Sequence, residues 1–162
     1  MKAVYLAGPD VFYPAAEKLA EEHKALCRSH GFEPLHPIDQ PTLSAKHIFN
    51  TNIELLKRAD AVVANLNAFR GAEVDSGTAF EVGFAIARGI PVIGYLLSNE
   101  TVAERIERHL GPLESLQGVL RDCDGNLVEN FGHHVNLMLA ESCSIIIGTI
   151  EDALAILHSR LG

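Results

Sequence analysis

The sequence predicts an α/β fold: one domain over 1–162, built on a five-stranded parallel sheet with helices on both faces. Three observations predict it. Short apolar runs alternate with segments of helical period along the chain. Such alternation implies parallel strands joined by crossover helices. The length, 162 residues, suits one domain. An apolar fraction of 48% supplies material for a core, and no repeat of fixed period interrupts it.

The first strand is "AVYLAG" (3–8), an apolar run that stops at Gly8-Pro9. "YPAAEKLAEEHKALCRSH" (13–30) carries Ala16, Leu19, Ala20, Ala25 and Leu26 near helical spacing, with Gly31 as the stop. "FEPLHP" (32–37) is a weaker second strand, broken by Pro34 and ended by Pro37. Residues 44–60 read as a helix that turns Ile48, Ile53, Leu55 and Leu56 inward. "AVVANL" (61–66) is the clearest strand, and a polar loop follows it. "TAFEVGFAIARG" (78–89) reads as helix and "IPVIGYLL" (90–97) as strand. Residues 98–133 are less regular, with a helix over 100–110 and a turn at "DCDGN" (122–126). A helix over 134–142, a last strand "CSIIIG" (143–148) and a closing helix over 149–161 complete the chain. Five strands in this pattern suggest the flavodoxin-like (Rossmann-like) order 2-1-3-4-5. Ligands of such sheets bind beyond the carboxyl ends of the strands, near the switch between strands 1 and 3.

Charge and cysteine usage narrow the partners. The formal net charge is −8, which argues against a nucleic-acid polymer or an anionic membrane surface. Single nucleosides and bases are neutral and are not excluded. No run approaches the ~20 apolar residues of a membrane span. The N-terminal apolar run is interrupted by Gly8, Pro9 and Asp10, and reads as a strand rather than an export signal. Cys27, Cys123 and Cys143 are odd in number and widely spaced, which points to free thiols and a cytoplasmic setting. Neither CxxC nor HExxH occurs, so no metal and no cofactor is expected.

The chemistry concentrates in "DSGTAFEVGFA" (75–85), where Glu81 sits among Phe80, Val82 and Phe84. Thr78 and Glu81 have the spacing of a capping box, and Asp75 could complement the helix dipole. The other reading is chemical. A carboxylate near a helix N-terminus is kept ionised by the dipole, as a nucleophile requires. Its natural target is an oxocarbenium-like centre, as in retaining glycosyl transfer. Asp75 would then donate a proton or position the sugar. Gly8 and Gly77 are turn glycines or points where backbone approaches a ligand. "GPDVF" (8–12) lacks the spacing of a phosphate-cradling loop, and Asp10 would repel a phosphate.

Three segments, "YLAGPDVF" (5–12), "ADAVVANLNAFRGAEVDSGTAFEVGFA" (59–85) and "VENFGHHVNLML" (128–139), together resemble the nucleoside 2-deoxyribosyltransferases in order and spacing. The resemblance covers essentially the whole chain. Relatives of that family include hydrolases of 2'-deoxynucleoside 5'-phosphates and of cytidine monophosphate. The resemblance implies a ping-pong transfer of the 2-deoxyribosyl group between purine or pyrimidine bases. Glu81 would be the nucleophile, Asp75 would bind sugar hydroxyls or relay the proton, and Tyr5 would hydrogen-bond the nucleophile. Gly8, Asp10, Phe12 and Gly77 are further candidate substrate contacts, and the resemblance places Asn52 and Asp39 nearest the base. Asn136 would reach the sugar 5'-hydroxyl in a neighbouring subunit, so a homodimer or higher homo-oligomer with shared sites is expected. The implied partners are nucleosides and free bases, in purine and pyrimidine salvage.

The chain departs from the family pattern twice. "NAFRG" (67–71) replaces the commoner "PFRG", and His133-His134 stand where a Leu-Pro pair is usual. The histidines read as polar residues at a helix start or as groups facing the site or the subunit interface. Arg70 could pair with Glu73, and Phe12 and Phe69 read as loop anchors or as an aromatic wall for a base. Two alternatives stay open: an N-glycoside hydrolase of nucleoside 5'-monophosphates, and a non-catalytic flavodoxin-like binding domain, which fold alone would permit.

Overall fold

The computed structural model describes residues 1–39 and 44–161. Its elements are β1 (Ala3–Ala7), α1 (Ala16–Ser29), β2 (Glu33–Leu35), α2 (Ala45–Arg58), β3 (Ala61–Asn65) and α3 (Ser76–Ala87). There follow β4 (Val92–Leu96), α4 (Val102–Leu110), β5 (Glu114–Leu116), β6 (Val119–Arg121), α5 (Leu137–Ser142), β7 (Ser144–Ile147) and α6 (Ile150–Leu161). Short 3-10 turns cover Pro9–Phe12 and Pro37–Asp39.

Strands β2-β1-β3-β4-β7 form one sheet, and every pairing in it is parallel. With β7 as its fifth strand, this is the 2-1-3-4-5 order. The central strands β1, β3 and β4 are buried along their whole length, so each reads as a continuous apolar run. Side-chain alternation splits them between two cores. Tyr5, Val62 and Ala64 pack with Leu55, Leu56, Val82 and Ala85 on the α2–α3 side. Val4, Leu6, Val63 and Ile93 pack with Cys27, Leu154 and Leu157 on the α1–α6 side. Gly94 lets β4 pass under Leu66: a Cβ there would stand 2.3 Å from Leu66 Cδ1.

Several boundaries move, and at three helix starts the cap shows why. Helix α1 starts at Ala16, not at 13, because Tyr13 closes the preceding 3-10 turn through its N–H to the Asp10 carbonyl (3.2 Å). Helix α3 starts two residues earlier than the sequence suggests, because Asp75 caps it. Helix α5 begins only at Leu137, where Asn136 accepts from the Met138 N–H. The irregular stretch also holds an antiparallel hairpin, β5–β6, turning through Gln117 and Gly118, both at positive φ. No helix among the described residues is long and apolar enough to cross a membrane.

Candidate active site

The site begins with Tyr5, in the middle of β1. Alternation turns its ring toward α2 and α3, where it is fully buried. Its hydroxyl donates to Glu81 Oε1 at 2.6 Å, a short bond of the charge-assisted kind. Glu81 lies on the second turn of α3 and is half-buried. Burial pushes its carboxyl up from 4.5 to about 7; the Tyr5 bond opposes the rise and the nearby Asp75 charge adds to it. Burial, then the Glu81 charge, keeps the Tyr5 phenol protonated at any ordinary pH, so it stays a donor.

This revises two expectations. The Thr78–Glu81 capping box does not form. Asp75 is the N-cap, and its Oδ2 accepts from the Thr78 N–H at 2.8 Å and the Thr78 hydroxyl at 2.9 Å. Glu81 is thereby freed from capping. Nor does the dipole hold Glu81 ionised: it sits beyond the first turn, where that field fades, and desolvation dominates.

Glu81 forms part of the lining of a cleft of about 540 Å³. Gly8, Phe12, Asn52, Asp75, Gly77 and Glu81 meet there, from the loops after β1 and β3 and from α2 and α3. Phe49 and Ile48 add an apolar wall. Phe49 and Phe80, each 52% exposed, lie 6.0 Å apart at an adjoining depression that Asn52 and Glu81 also line. Asn52 Oδ1 is buried and has no hydrogen-bond partner among the described residues. An amide in that state lacks a partner that a bound group could supply. Gly77 allows the helix to start tightly over its cap: a Cβ would stand 3.1 Å from Asp75 Oδ2.

Three sequence candidates lie elsewhere. Asp10 is buried on the α1–α6 side, where Asn65 Nδ2 donates to it at 2.8 Å. Asp39 accepts from the buried ammonium of Lys24 and does not line the cleft. Asn136 Nδ2 donates to Glu129 at 2.8 Å and lines a separate groove of about 580 Å³ with Val74, Gly83, Ile86 and Leu139. His133 pairs with Glu141 at 3.0 Å, and His134 gives its carbonyl to Arg105, so neither histidine lines the cleft. Arg70 does not pair with Glu73; its guanidinium lies 5.1 Å from the Phe12 ring centroid and 4.7 Å from that of Phe69.

Arg105 is a structural tie that no sequence pattern marks. It is buried in α4 and donates to the Ala72, Glu100 and His134 carbonyls at 2.6, 3.2 and 2.8 Å. It thus ties the loop that delivers Asp75 to the segment before α5. A lone arginine at helical spacing carries no sign of such a role.

The arrangement is a deep carboxyl with a phenol donor, a second carboxylate on the same helix start and aromatic walls. The family model described as nucleoside 2-deoxyribosyltransferase matches residues 4–138. The chain belongs to the nucleoside 2-deoxyribosyltransferase family. It is similar over the full length of both chains to a 2-desoxiribosyltransferase from Leishmania mexicana, at 32% identity and a TM-score of 0.84. A 2-deoxyribosyltransferase from Bacillus psychrosaccharolyticus shares the fold at 19% identity and a TM-score of 0.61, over 94% of this chain and 90% of its own. An uncharacterized protein of Schizosaccharomyces pombe is 29% identical over 155 residues, 83% of this chain and 74% of its own. Family membership places the general activity at the glycosyl bond of nucleosides.

Proposed function

We propose that the protein transfers the 2-deoxyribosyl group between purine or pyrimidine bases through a covalent ester on Glu81. The observation that carries this reading is the Tyr5–Glu81 bond at the edge of a cleft. A carboxylate attacks C1' as the C1'–N bond breaks, and the departing base takes the electron pair and a proton that Asp75 relays from solvent. Tyr5 stabilises the charged form of Glu81 and orients one oxygen, leaving the other to attack. Asp75 Oδ2 is engaged by Thr78, while Oδ1 makes no hydrogen bond among the described residues. That oxygen is free for a sugar hydroxyl or for the proton in transit. An incoming base then attacks C1', the ester C–O bond breaks, and Glu81 is regenerated as the base nitrogen gives up its proton. Two displacements return the original configuration at C1'. Water in place of the base gives slow hydrolysis.

Phe12 and Phe49 suit a flat heterocycle, and Asn52 suits its polar edge. Asn136 lies in a different depression from Glu81, so we place it in the site of a second subunit, in a homo-oligomer with shared sites. Base exchange between deoxyadenosine and free cytosine is the test, followed by product chromatography. Exchange by the wild type and its loss in Glu81→Ala support the reading; undiminished exchange by Glu81→Ala makes Glu81 a structural acid only.

One observation favours a second reading, hydrolysis of nucleoside 5'-monophosphates. Arg70 sets a cation beside Phe12, at the rim of the cleft. Comparing deoxyadenosine with its 5'-monophosphate decides between them: a preference for the monophosphate selects the hydrolase.

A further inference from the structure

The turn after β1 faces two ways. Gly8, Val11 and Phe12 line the cleft, whereas Asp10 between them points to the far side of the sheet. There Asp10 is 6% exposed, against 55% for Phe12. Asp10 Oδ1 accepts from Asn65 Nδ2 at 2.8 Å, and Oδ2 faces His23 Nδ1 at 3.6 Å. Asn65 ends β3 and is itself held. Its Oδ1 accepts from the backbone N–H of Asn67 at 3.2 Å and from Asn67 Nδ2 at 2.7 Å. Asn67 Oδ1 accepts in turn from the Leu97 N–H at 2.9 Å. The chain of bonds therefore runs from the first turn to the ends of β3 and β4. Gly8 shows how tightly the turn is drawn down: a Cβ there would stand 2.9 Å from Asn65 Cβ. On the cleft side Phe12 has a lighter anchor, a stack on Phe69 with centroids 5.6 Å apart and Arg70 over both rings.

A buried carboxylate is costly unless it is hydrogen-bonded, and bonds to it are the strong kind. Its placement against Asn65 thus fixes the turn more firmly than the exposed aromatic stack does. We propose that Asp10 is a positioning residue. Its bond to Asn65, made on the side of the sheet away from the cleft, holds the Gly8–Phe12 turn against β3 and so sets where Phe12 stands as a cleft wall. This assigns Asp10 no contact with substrate, and it rests on the cleft being the nucleoside site.

Asp10→Ala, Asp10→Asn and Asn65→Ala test it, with two readouts. In steady-state base exchange, Asp10→Ala and Asn65→Ala raise KM about tenfold, the scale of one lost bond to a charged group, while kcat changes less than about threefold because Tyr5 and Glu81 are untouched. Asp10→Asn keeps KM within about twofold, since its amide oxygen still accepts from Asn65. The second readout needs no activity. The sequence contains no tryptophan, so Phe12→Trp gives a single tryptophan on the wall, which can be excited apart from the tyrosines. In that background Asp10→Ala and Asn65→Ala lower its anisotropy and raise its acrylamide quenching, and Asp10→Asn leaves both unchanged. If Asp10→Ala does not fold, Asn65→Ala removes the same bond and carries the test. An Asp10→Asn protein as impaired in KM as Asp10→Ala overturns the proposal in favour of a direct charge at the substrate. Unchanged KM and fluorescence with a lowered Tm overturn it in favour of a stability role alone. A wild type without exchange or hydrolysis defeats the functional reading, and the fluorescence still decides the positioning claim.

Discussion

Replacing Glu81 by Gln should stabilise the protein, and only at high pH. In the folded chain burial lifts the carboxyl from 4.5 to about 7. Between those values the folded state holds a proton that the unfolded state has lost, so stability falls as pH rises through the window. Below 4.5 both states are protonated and nothing is lost; above 7 the loss is complete. The interval, at about 1.36 kcal/mol per pH unit, amounts to about 3 kcal/mol, and solvent in the cleft lowers this to about 2–3 kcal/mol. Gln is neutral throughout and keeps an oxygen for the Tyr5 hydroxyl. Urea unfolding of both proteins at pH 4.5 and pH 8.5 reads the difference, in which titrating groups that do not interact with Glu81 cancel. The stability gain of Glu81→Gln should grow by about 2–3 kcal/mol between the two conditions. A gain that stays flat, or that shrinks as pH rises, refutes the claim that the carboxyl is held protonated by burial.

Two neighbours should move the activity profile in opposite directions. If Glu81 is the nucleophile, the rate should climb as its carboxyl, raised by burial to about 7, loses its proton. Tyr5→Phe removes the bond that lowers that value, so the limb moves to higher pH; Asp75→Asn removes the charge that raises it, so the limb moves lower. Rate profiles from pH 5 to 9 check both, and a common direction contradicts the assignment. Subunit sharing has its own test. Glu81→Ala and Asn136→Ala, each inactive alone, should regain about a quarter of wild-type activity when mixed, because half of randomly mixed dimers carry one intact site. No activity after native mass spectrometry shows subunit exchange removes the shared site from the account.

The sheet was legible because its buried strands are unbroken apolar runs, and strand order follows from their alternation with helices. The β5–β6 hairpin was not legible. Residues 114–116 are exposed and show no alternation, and the turn relies on Gln117 at a φ of 52°, a position where sequence favours Asn, Asp or Gly. Glu81 drew notice as an acid in an apolar run. Whether it caps or reacts depended on Asp75, whose oxygen takes the Thr78 N–H that Glu81 would accept in a capping box. Asp10 shows the harder limit. An acid beside a glycine in a loop reads as a ligand contact, and only the 3-10 turn reveals that its side chain crosses to the other face. Arg70 was matched with the nearest acid in sequence, but its left-handed backbone (φ 55°) turns it onto Phe12 and Phe69 instead. No local pattern shows the Tyr5–Glu81 bond, whose partners stand 76 residues apart; only the family resemblance implied it.

The covalent role of Glu81 can be measured directly. A 2'-fluoro-arabinosyl nucleoside slows the breakdown of a glycosyl ester, because fluorine destabilises the oxocarbenium-like transition state that releases it. Incubation at pH 8, where Glu81 is ionised, followed by proteolysis and tandem mass spectrometry, locates any sugar retained on the chain. If Glu81 is the nucleophile, one fluoro-sugar adduct per active site forms on Glu81, within the peptide that spans 71–88, and none in Glu81→Gln. An adduct on Asp75, or turnover of the analogue with no adduct on any carboxylate, contradicts it.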